Sequence, residues 1–324
     1  MRTSSTLLLS AFGFALMLMP ADAEMWPTKP LRVIVPVGAG STTDIIPRAV
    51  MEELSRQIGQ SIVVENRVGA GGTIGSAYVA KAEADGYTVL AHGSAHTIAP
   101  ALYPNLSYDP AHDFAAVVPL GVSASVLVVS PSRGFNSAAD LVAIGKAKPG
   151  ALNFSSVGVG SATHLSAERF RRSAGIDAVH IPFKGGAEAL TEVIAGRVDF
   201  FFGPVGLVLP HIREGKVVAL AVNGTKRSPA LPNVPTTLEA GFSDAEYPIW
   251  FGLFVPAKTP RDVIDALHRA TVKALQSAKV SERLGALGVD PIFITPTEFD
   301  ALVQREVALN AELVKAAGLK TNTQ

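Results

Sequence analysis

Three turns in the chain consist almost entirely of Gly, Ala, Ser and Thr, and each follows an apolar run and precedes a helical pattern. The first amide groups of a helix have no intrahelical acceptor and carry partial positive charge, so a turn of small residues lets an anion approach them closely. The sequence therefore predicts a site for a small anion. The turns are Gly38-Ala39-Gly40-Ser41-Thr42-Thr43-Asp44, Gly69-Ala70-Gly71-Gly72-Thr73 and Gly158-Val159-Gly160-Ser161-Ala162-Thr163-His164.

The polar side chains of the first and third turns have two interpretations. Ser41, Thr43, Ser161 and Thr163 could each donate a hydrogen bond to a carboxylate, or could cap the helix that follows. Asp44 falls in a first helical turn, where a carboxylate stabilises the helix dipole but repels an anionic ligand. The residue types alone leave both interpretations open.

Further candidates follow other predicted strands. His164 could donate to a ligand or cap its helix start. Ser94 and Thr97 lie in a predicted loop after a strand and are expected to line the site. Gly185 and Gly186 form another strand-to-helix turn whose amides could bind an anion.

Metal and cofactor chemistry is not expected. The chain contains no cysteine, which excludes disulfides, zinc ribbons, iron–sulfur clusters and cysteine nucleophiles. His92 and His96 are four residues apart, but the sequence shows no further ligands for a metal beside them. We expect neither a metal site nor a cofactor.

The elements that position these turns form two α/β runs. Between Leu31 and Ala91 the pattern is strand, helix, strand, helix, strand, which implies a parallel sheet with right-handed crossovers. A second α/β run begins with a helix at 137–148 and continues to a strand at 217–222, and the chain then returns to a strand at 249–255 and C-terminal helices. We therefore expect one lobe, residues 24–123 plus 247–324, interrupted by a second, residues 124–246, with a hinged ligand cleft between them.

The first residues are typical of an export signal. Arg2 precedes an apolar stretch, and Ala21-Asp22-Ala23 resembles a cleavage site. The apolar stretch spans about 13 residues, whereas a membrane-spanning helix needs roughly 20. We expect a signal peptide, residues 1–23, cleaved after Ala23, and a periplasmic mature protein.

The charges are balanced, with 28 Lys plus Arg and 28 Asp plus Glu. No cluster of basic residues is present, and this argues against nucleic acid and acidic membrane surfaces as partners. We expect the mature protein to be a monomer.

Two enzyme classes are alternatives. The turn at 158–163 opens a helix after a strand, as in a nucleotide-dependent oxidoreductase, but it lacks the third glycine of a dinucleotide-binding turn. An exported hydrolase could use a serine with His164 or His96, although no Gly-x-Ser-x-Gly motif occurs.

Several motifs, in order along most of the chain, closely resemble the Bug family, the periplasmic solute receptors of tripartite tricarboxylate transporters. They include Trp26-Pro27-x-Lys29-Pro30-Leu31-Arg32, Val64-Glu65-Asn66-Arg67-x-Gly69-Ala70-Gly71-Gly72, Ala84-Asp85-Gly86-Tyr87, Ser155-Ser156-x-Gly158-x-Gly160-Ser161 and His180-Ile181-Pro182-Phe183-Lys184-Gly185-Gly186.

The resemblance implies a type II periplasmic-binding-protein fold with two α/β lobes. It also implies a role: capturing a small organic carboxylate between the lobes and presenting it to membrane permease subunits. Carried over by position, it nominates residues 38–44 on one lobe and residues from Ser156 to His164 on the other. The turn at 69–75 is expected to serve mainly in helix-to-sheet packing.

This chain departs from the family pattern at two places. The first turn usually begins Pro-Phe, whereas here it begins Pro36-Val37. The family often has an acidic residue near 202–204, and none is present here. Because such an acid would suit a ligand with an amino group, its absence favours a plain carboxylate.

Overall fold

The computed structural model describes residues 26–316 and 318. The predicted signal peptide and its cleavage after Ala23 lie outside these residues. Within the part that is described, no helix is both long enough and apolar enough to span a membrane.

Strands and helices alternate along most of the chain. The strands are β1 (Leu31–Val35), β2 (Ile62–Asn66), β3 (Thr88–Gly93), β4 (Phe114–Ser123), β5 (Ser125–Val129), β6 (Leu152–Ser156), β7 (Ala178–Pro182), β8 (Phe200–Pro204), β9 (Val218–Val222), β10 (Ile249–Pro256) and β11 (Val289–Asp290). The α-helices are α1 (Thr42–Ile58), α2 (Thr73–Ala80), α3 (Ala95–Leu102), α4 (Ala138–Ala147), α5 (Ala162–Ala174), α6 (Gly186–Ile194), α7 (Val205–Arg213), α8 (Arg261–Leu275), α9 (Ala278–Ala286) and α10 (Pro296–Ala316).

The strands form two sheets. The first has the order β11-β4-β10-β3-β1-β2, and the second has the order β7-β6-β8-β5-β9. In each sheet one strand pairs in parallel with two others, β1 with β2 and β3, and β6 with β7 and β8. Strand β10 in the first sheet and strand β5 in the second run antiparallel to their neighbours. The predicted α/β class, with a parallel core in each sheet, is confirmed.

Helices cover both faces of each sheet, since the strands are apolar on both sides. In the first lobe, defined as the first sheet with its helices, α1, α8 and α9 cover one face, while α2 and α10 cover the other. In the second lobe, the second sheet is covered by α4 and α5 on one face and by α6 and α7 on the other. Each lobe therefore has its own core.

The chain passes between the sheets at two places. The first is the single residue Ala124, between β4 and β5, and the second is the segment between β9 and β10. Asn223 joins both crossings, because its Oδ1 accepts from the Ser125 amide (2.7 Å) and its backbone carbonyl accepts from the Tyr247 amide (3.0 Å). Its Nδ2 donates to Ser166 of α5 (2.9 Å). A buried asparagine thus holds the two connections together.

Candidate ligand-binding site

The turns that precede α1 and α5 are similar in local structure, although only Ser161 also caps its helix, by accepting from the His164 amide (3.3 Å). The Ser41 hydroxyl donates to the Gly38 carbonyl (2.9 Å), and the Ser161 hydroxyl donates to the Gly158 carbonyl (2.8 Å). Gly40 and Gly160 have φ of +83° and +73°, a conformation that glycine adopts at no steric cost. The two turns therefore share one pattern, Gly-x-Gly-Ser, one on each lobe.

The carboxylate of Asp44 stabilises the first of these turns through hydrogen bonds. Its carboxylate accepts from the Gly40 amide (2.9 Å), from Nε of Arg48 (2.8 Å) and from Nδ2 of Asn66 (2.8 Å). Burial acts to raise the pKa of Asp44, but these hydrogen bonds outweigh burial, so the pKa is lowered. The Asp44 carboxylate is buried, and its charge is balanced by Arg48. It therefore stabilises the turn and is not available to a ligand.

Asp44→Ala is expected to lower the free energy of unfolding by about 2 kcal/mol, because it leaves three donors without their acceptor. Urea denaturation at pH 7 measures this change. Asp262→Ala provides the control, since Asp262 also lies in a first helical turn but is exposed. Equal losses for the two variants would contradict a specific role of Asp44.

His164 occupies the corresponding position in the second turn. Its Nδ1 accepts from the Gly160 amide (3.0 Å), and its ring stacks on His180 with ring centroids 3.7 Å apart. Burial, with smaller contributions from His180 and Arg171, lowers the pKa of His164 to about 3, and burial lowers the pKa of His180 to about 4. Both rings are therefore neutral at neutral pH.

A cavity of about 540 Å³ lies between the lobes, above the N-termini of α1, α5, α6 and α7. We call it the interlobe cavity. Residues nominated from the sequence line it on both sides: Gly40, Ser41, Thr42, Thr43, Thr163, Gly185 and Gly186. The rest of its wall includes Ser123 and the apolar side chains of Val157, Leu207, Ile249, Phe251 and Leu287.

A second cavity, of about 450 Å³, lies on the other side of the paired turns. We call it the glycine-loop cavity, because Gly69–Gly72 form part of its wall together with Ile98, Leu102 and Tyr103. Gly38, Gly160 and Ser161 line it. A side chain at Gly75 would lie 2.8 Å from the Arg67 carbonyl oxygen, consistent with the expected packing role of this segment.

Six nominated residues line neither cavity: Ala39, Asp44, Ser94, Thr97, Ser156 and His164. The expected loop at 94–97 is instead the start of α3. Thr97 is fully buried there, where its hydroxyl donates to the Ser94 carbonyl (2.8 Å) and accepts from Nδ2 of Asn310 in α10 (2.9 Å). Ser94 and Thr97 thus contribute to the packing of α3 within the first lobe.

Ser156 is also enclosed. Its Oγ lies 2.6 Å from Nε2 of His180, and its side chain has no exposed surface. This serine–histidine pair differs from those weighed from the sequence, which involved His164 or His96. Because a substrate cannot reach the Ser156 hydroxyl, the pair supports the second turn and does not present a nucleophile.

Sequence reasoning did not identify the apolar wall of the interlobe cavity. Ile249 and Phe251 alternate along β10 with Trp250, whose Nε1 donates to Glu306 inside the first lobe (2.7 Å). The period of two is a usable signal, because it places Ile249 and Phe251 on the face opposite Trp250. The sequence does not show which face borders the cleft.

Histidines 92 and 96 lie in the core of the first lobe. Their rings are 5.5 Å apart, and His96 also packs against Tyr108, Phe114 and Phe254. Among residues 26–316 and 318, no group of three or more His, Cys, Asp or Glu side chains is placed to hold a metal. The pair packs as part of an aromatic cluster.

Comparisons with known proteins agree with this architecture. Residues 46–319 match the family described as the tripartite tricarboxylate transporter family receptor. The protein BugT of Bordetella pertussis is 35% identical over 303 residues, covering 93% of this chain and 93% of BugT.

Solved structures of periplasmic binding proteins are also similar. MatC of Rhodopseudomonas palustris with bound malate is 31% identical, with a TM-score of 0.76 over 89% of this chain and 100% of MatC. A second R. palustris protein, with adipate, is 32% identical, with a TM-score of 0.79 over 91% of this chain and 100% of that protein. The chain therefore has the two-lobe fold of these proteins and belongs to the Bug-type receptors of the tripartite tricarboxylate transporter family.

Proposed function

We propose that the protein captures a small organic carboxylate in the interlobe cavity. The observation that carries this proposal is the pair of Gly-x-Gly-Ser turns, which bring the N-termini of α1 and α5 to one cavity from opposite lobes. Relatives with the same fold are described with malate and with adipate. Neither an oxidoreductase nor a hydrolase is favoured by any comparable feature.

Uncharged donors suit this task. In the described part of the chain, the hydroxyls of Thr42 and Thr43 have no hydrogen-bond partner, and both residues line the cavity. A charge-assisted hydrogen bond contributes about 1.5–3 kcal/mol, and the first amides of α1 and α5 add their partial positive charge. A carboxylate can therefore be held without a lysine or an arginine.

The proposed lobes are residues 24–123 plus 247–324 and residues 124–246. The two crossings at Ala124 and at 223–248 are the points about which such lobes could rotate. Closure would bring the turn at 38–44 and the turn at 156–164 onto the ligand, with Ser94, Thr97, Ser156 and His164 acting through the turns and helices they support.

Delivery to membrane permease subunits completes the proposed role. The protein is periplasmic as a member of this receptor family, and we propose that the signal peptide, residues 1–23, is removed after Ala23. A single mature chain would bind one ligand and then dock on the permease.

A panel of mono-, di- and tricarboxylates is expected to include at least one compound that raises the melting temperature of the purified mature protein. Binding to the folded state alone stabilises it by about 2.7 kcal/mol at a ligand concentration 100 times the Kd. Differential scanning fluorimetry measures the shift, and the corresponding primary amides serve as uncharged controls. If no carboxylate shifts the melting temperature, or if the amides shift it equally, the proposal fails.

A further inference from the structure

Helix α5 of the second lobe borders a cavity at each of its ends. Its first residues, Ala162 and Thr163, line the interlobe cavity. Its later residues Arg169, Arg172 and Ser173 line a separate cavity of about 480 Å³, whose opposite wall belongs to α10 of the first lobe. We call this the α5–α10 cavity. A rise of 1.5 Å per residue separates Ala162 from Arg172 by about 15 Å along the helix.

Between these two ends, α5 packs against the first lobe. Leu165 has no exposed surface, and it belongs to an apolar cluster with three side chains of the first lobe, Ile98, Leu102 and Leu313. The helical period places Leu165 on the same face of α5 as Arg169. A rotation of α5 about this contact moves the two ends of the helix in opposite directions relative to the first lobe. Narrowing of the interlobe cavity would therefore widen the α5–α10 cavity.

The wall of the α5–α10 cavity on the second lobe is held together by hydrogen bonds. Nε of Arg169 donates to the Asp244 carbonyl (3.1 Å), and the Ser173 hydroxyl donates to the Ser243 carbonyl. Both carbonyls belong to the crossing at 223–248, on its second-lobe side. The opposite wall belongs to α10, which packs on α3 and β4 of the first lobe. Each wall therefore moves with its own lobe.

The two walls carry opposite charge. On the second lobe, the two arginines Arg169 and Arg172 and the single carboxylate of Asp244 give a net charge of +1, whereas the wall on α10 has Glu312. Among the residues that the structure describes, neither Arg172 nor Glu312 has an ion-pair partner within 4.0 Å. Both residues are exposed, and exposed charges interact over a Debye length of about 8 Å at physiological ionic strength. Attraction between the walls favours a narrow α5–α10 cavity.

We infer that Arg172 and Glu312 regulate the affinity for the ligand without contacting it, because their attraction favours the arrangement of the lobes in which the interlobe cavity is wide. A ligand held by both lobes shifts the population toward the closed arrangement, and this preference opposes that shift. Weakening the attraction should therefore raise the affinity. This inference rests on the proposed function and adds a control of its affinity at a distance from the ligand.

Reversal of either charge is expected to tighten carboxylate binding at least 3-fold, because like charges would then repel each other across the α5–α10 cavity. The single variants are Glu312→Arg and Arg172→Glu. Isothermal titration calorimetry with the carboxylate that stabilises the wild-type protein most measures the affinity. The double variant, Arg172→Glu with Glu312→Arg, restores the attraction and should return the affinity to the wild-type value.

Glu282→Arg and Arg213→Glu are the matched controls. Each residue is exposed on a helix, Glu282 on α9 of the first lobe and Arg213 on α7 of the second, and neither lines the interlobe cavity or the α5–α10 cavity. We expect wild-type affinity for both controls. Unchanged or weaker binding by the single variants, equal tightening by the controls, or no recovery in the double variant would overturn the inference and leave the proposed function intact. If the wild-type protein binds no carboxylate, the proposed function fails instead.

Discussion

Ala162→Phe is expected to weaken carboxylate binding more than 100-fold. Ala162 is the first residue of α5 and lines the interlobe cavity beside the second Gly-x-Gly-Ser turn. A phenyl group there would occupy space needed by the ligand and would hold the lobes apart, so both direct contacts and closure would be lost. Calorimetry with the carboxylate that stabilises the wild-type protein most provides the measurement.

Ala278→Phe is the matched control for this variant. Ala278 is also the first residue of a helix, α9, and follows a serine N-cap, Ser277, that accepts from the amide three residues on, as Ser161 does in α5. Ala278 is exposed and lines neither cavity. We expect wild-type affinity for Ala278→Phe. Retained affinity in Ala162→Phe would show that the ligand does not occupy the interlobe cavity.

The paired turns could be predicted from sequence because their determinants are local. Gly40 and Gly160 are required by positive φ, and Ser41 and Ser161 bond to carbonyls only three residues away. Interactions between residues so close in sequence can be predicted from the sequence itself. The same holds for the alternation of strands and helices, which follows the hydrophobic period.

The roles of the enclosed polar residues could not be predicted in the same way, because their partners are distant in sequence. Thr97 bonds to Asn310, and Ser156 bonds to His180 across two parallel strands. A serine or threonine after a strand is equally compatible with a ligand contact and with a buried hydrogen bond. Only the packing of α10 against α3, and of β6 against β7, distinguishes the two.

Acidification from pH 7 to pH 5 is expected to destabilise the protein strongly, even though most carboxylates remain ionised over much of this range. Burial lowers the pKa of His92 and His180 to about 4, lowers that of His164 to about 3, and lowers that of His96 well below its usual value. In the unfolded chain each histidine titrates near pH 6.5.

The sign of the change in the free energy of unfolding follows from the number of protons bound in the folded and unfolded states. Between pH 6.5 and the folded pKa values, the unfolded chain binds more protons on these histidines than the folded protein does, so the free energy of unfolding falls as pH falls. Each histidine contributes a slope of about 1.4 kcal/mol per pH unit once the pH is well below 6.5. Burial raises the pKa values of Glu306 and Asp300, so these two carboxyl groups favour the folded state as pH falls. They are outnumbered by the four buried histidines.

Urea denaturation at half-unit steps between pH 7 and pH 5 measures this slope. His164→Asn keeps an acceptor for the Gly160 amide and removes one titrating ring, so its slope should be shallower by about 1.4 kcal/mol per pH unit. His112→Gln is the control, because the His112 side chain is 76% exposed and the variant should match the wild type. A wild-type free energy of unfolding that stays constant over this range would mean that the buried rings find acceptors when protonated. Protonated His164 could then no longer accept from the Gly160 amide, and yet the protein would stay folded. The role of neutral His164 in supporting the turn before α5 would have to be abandoned.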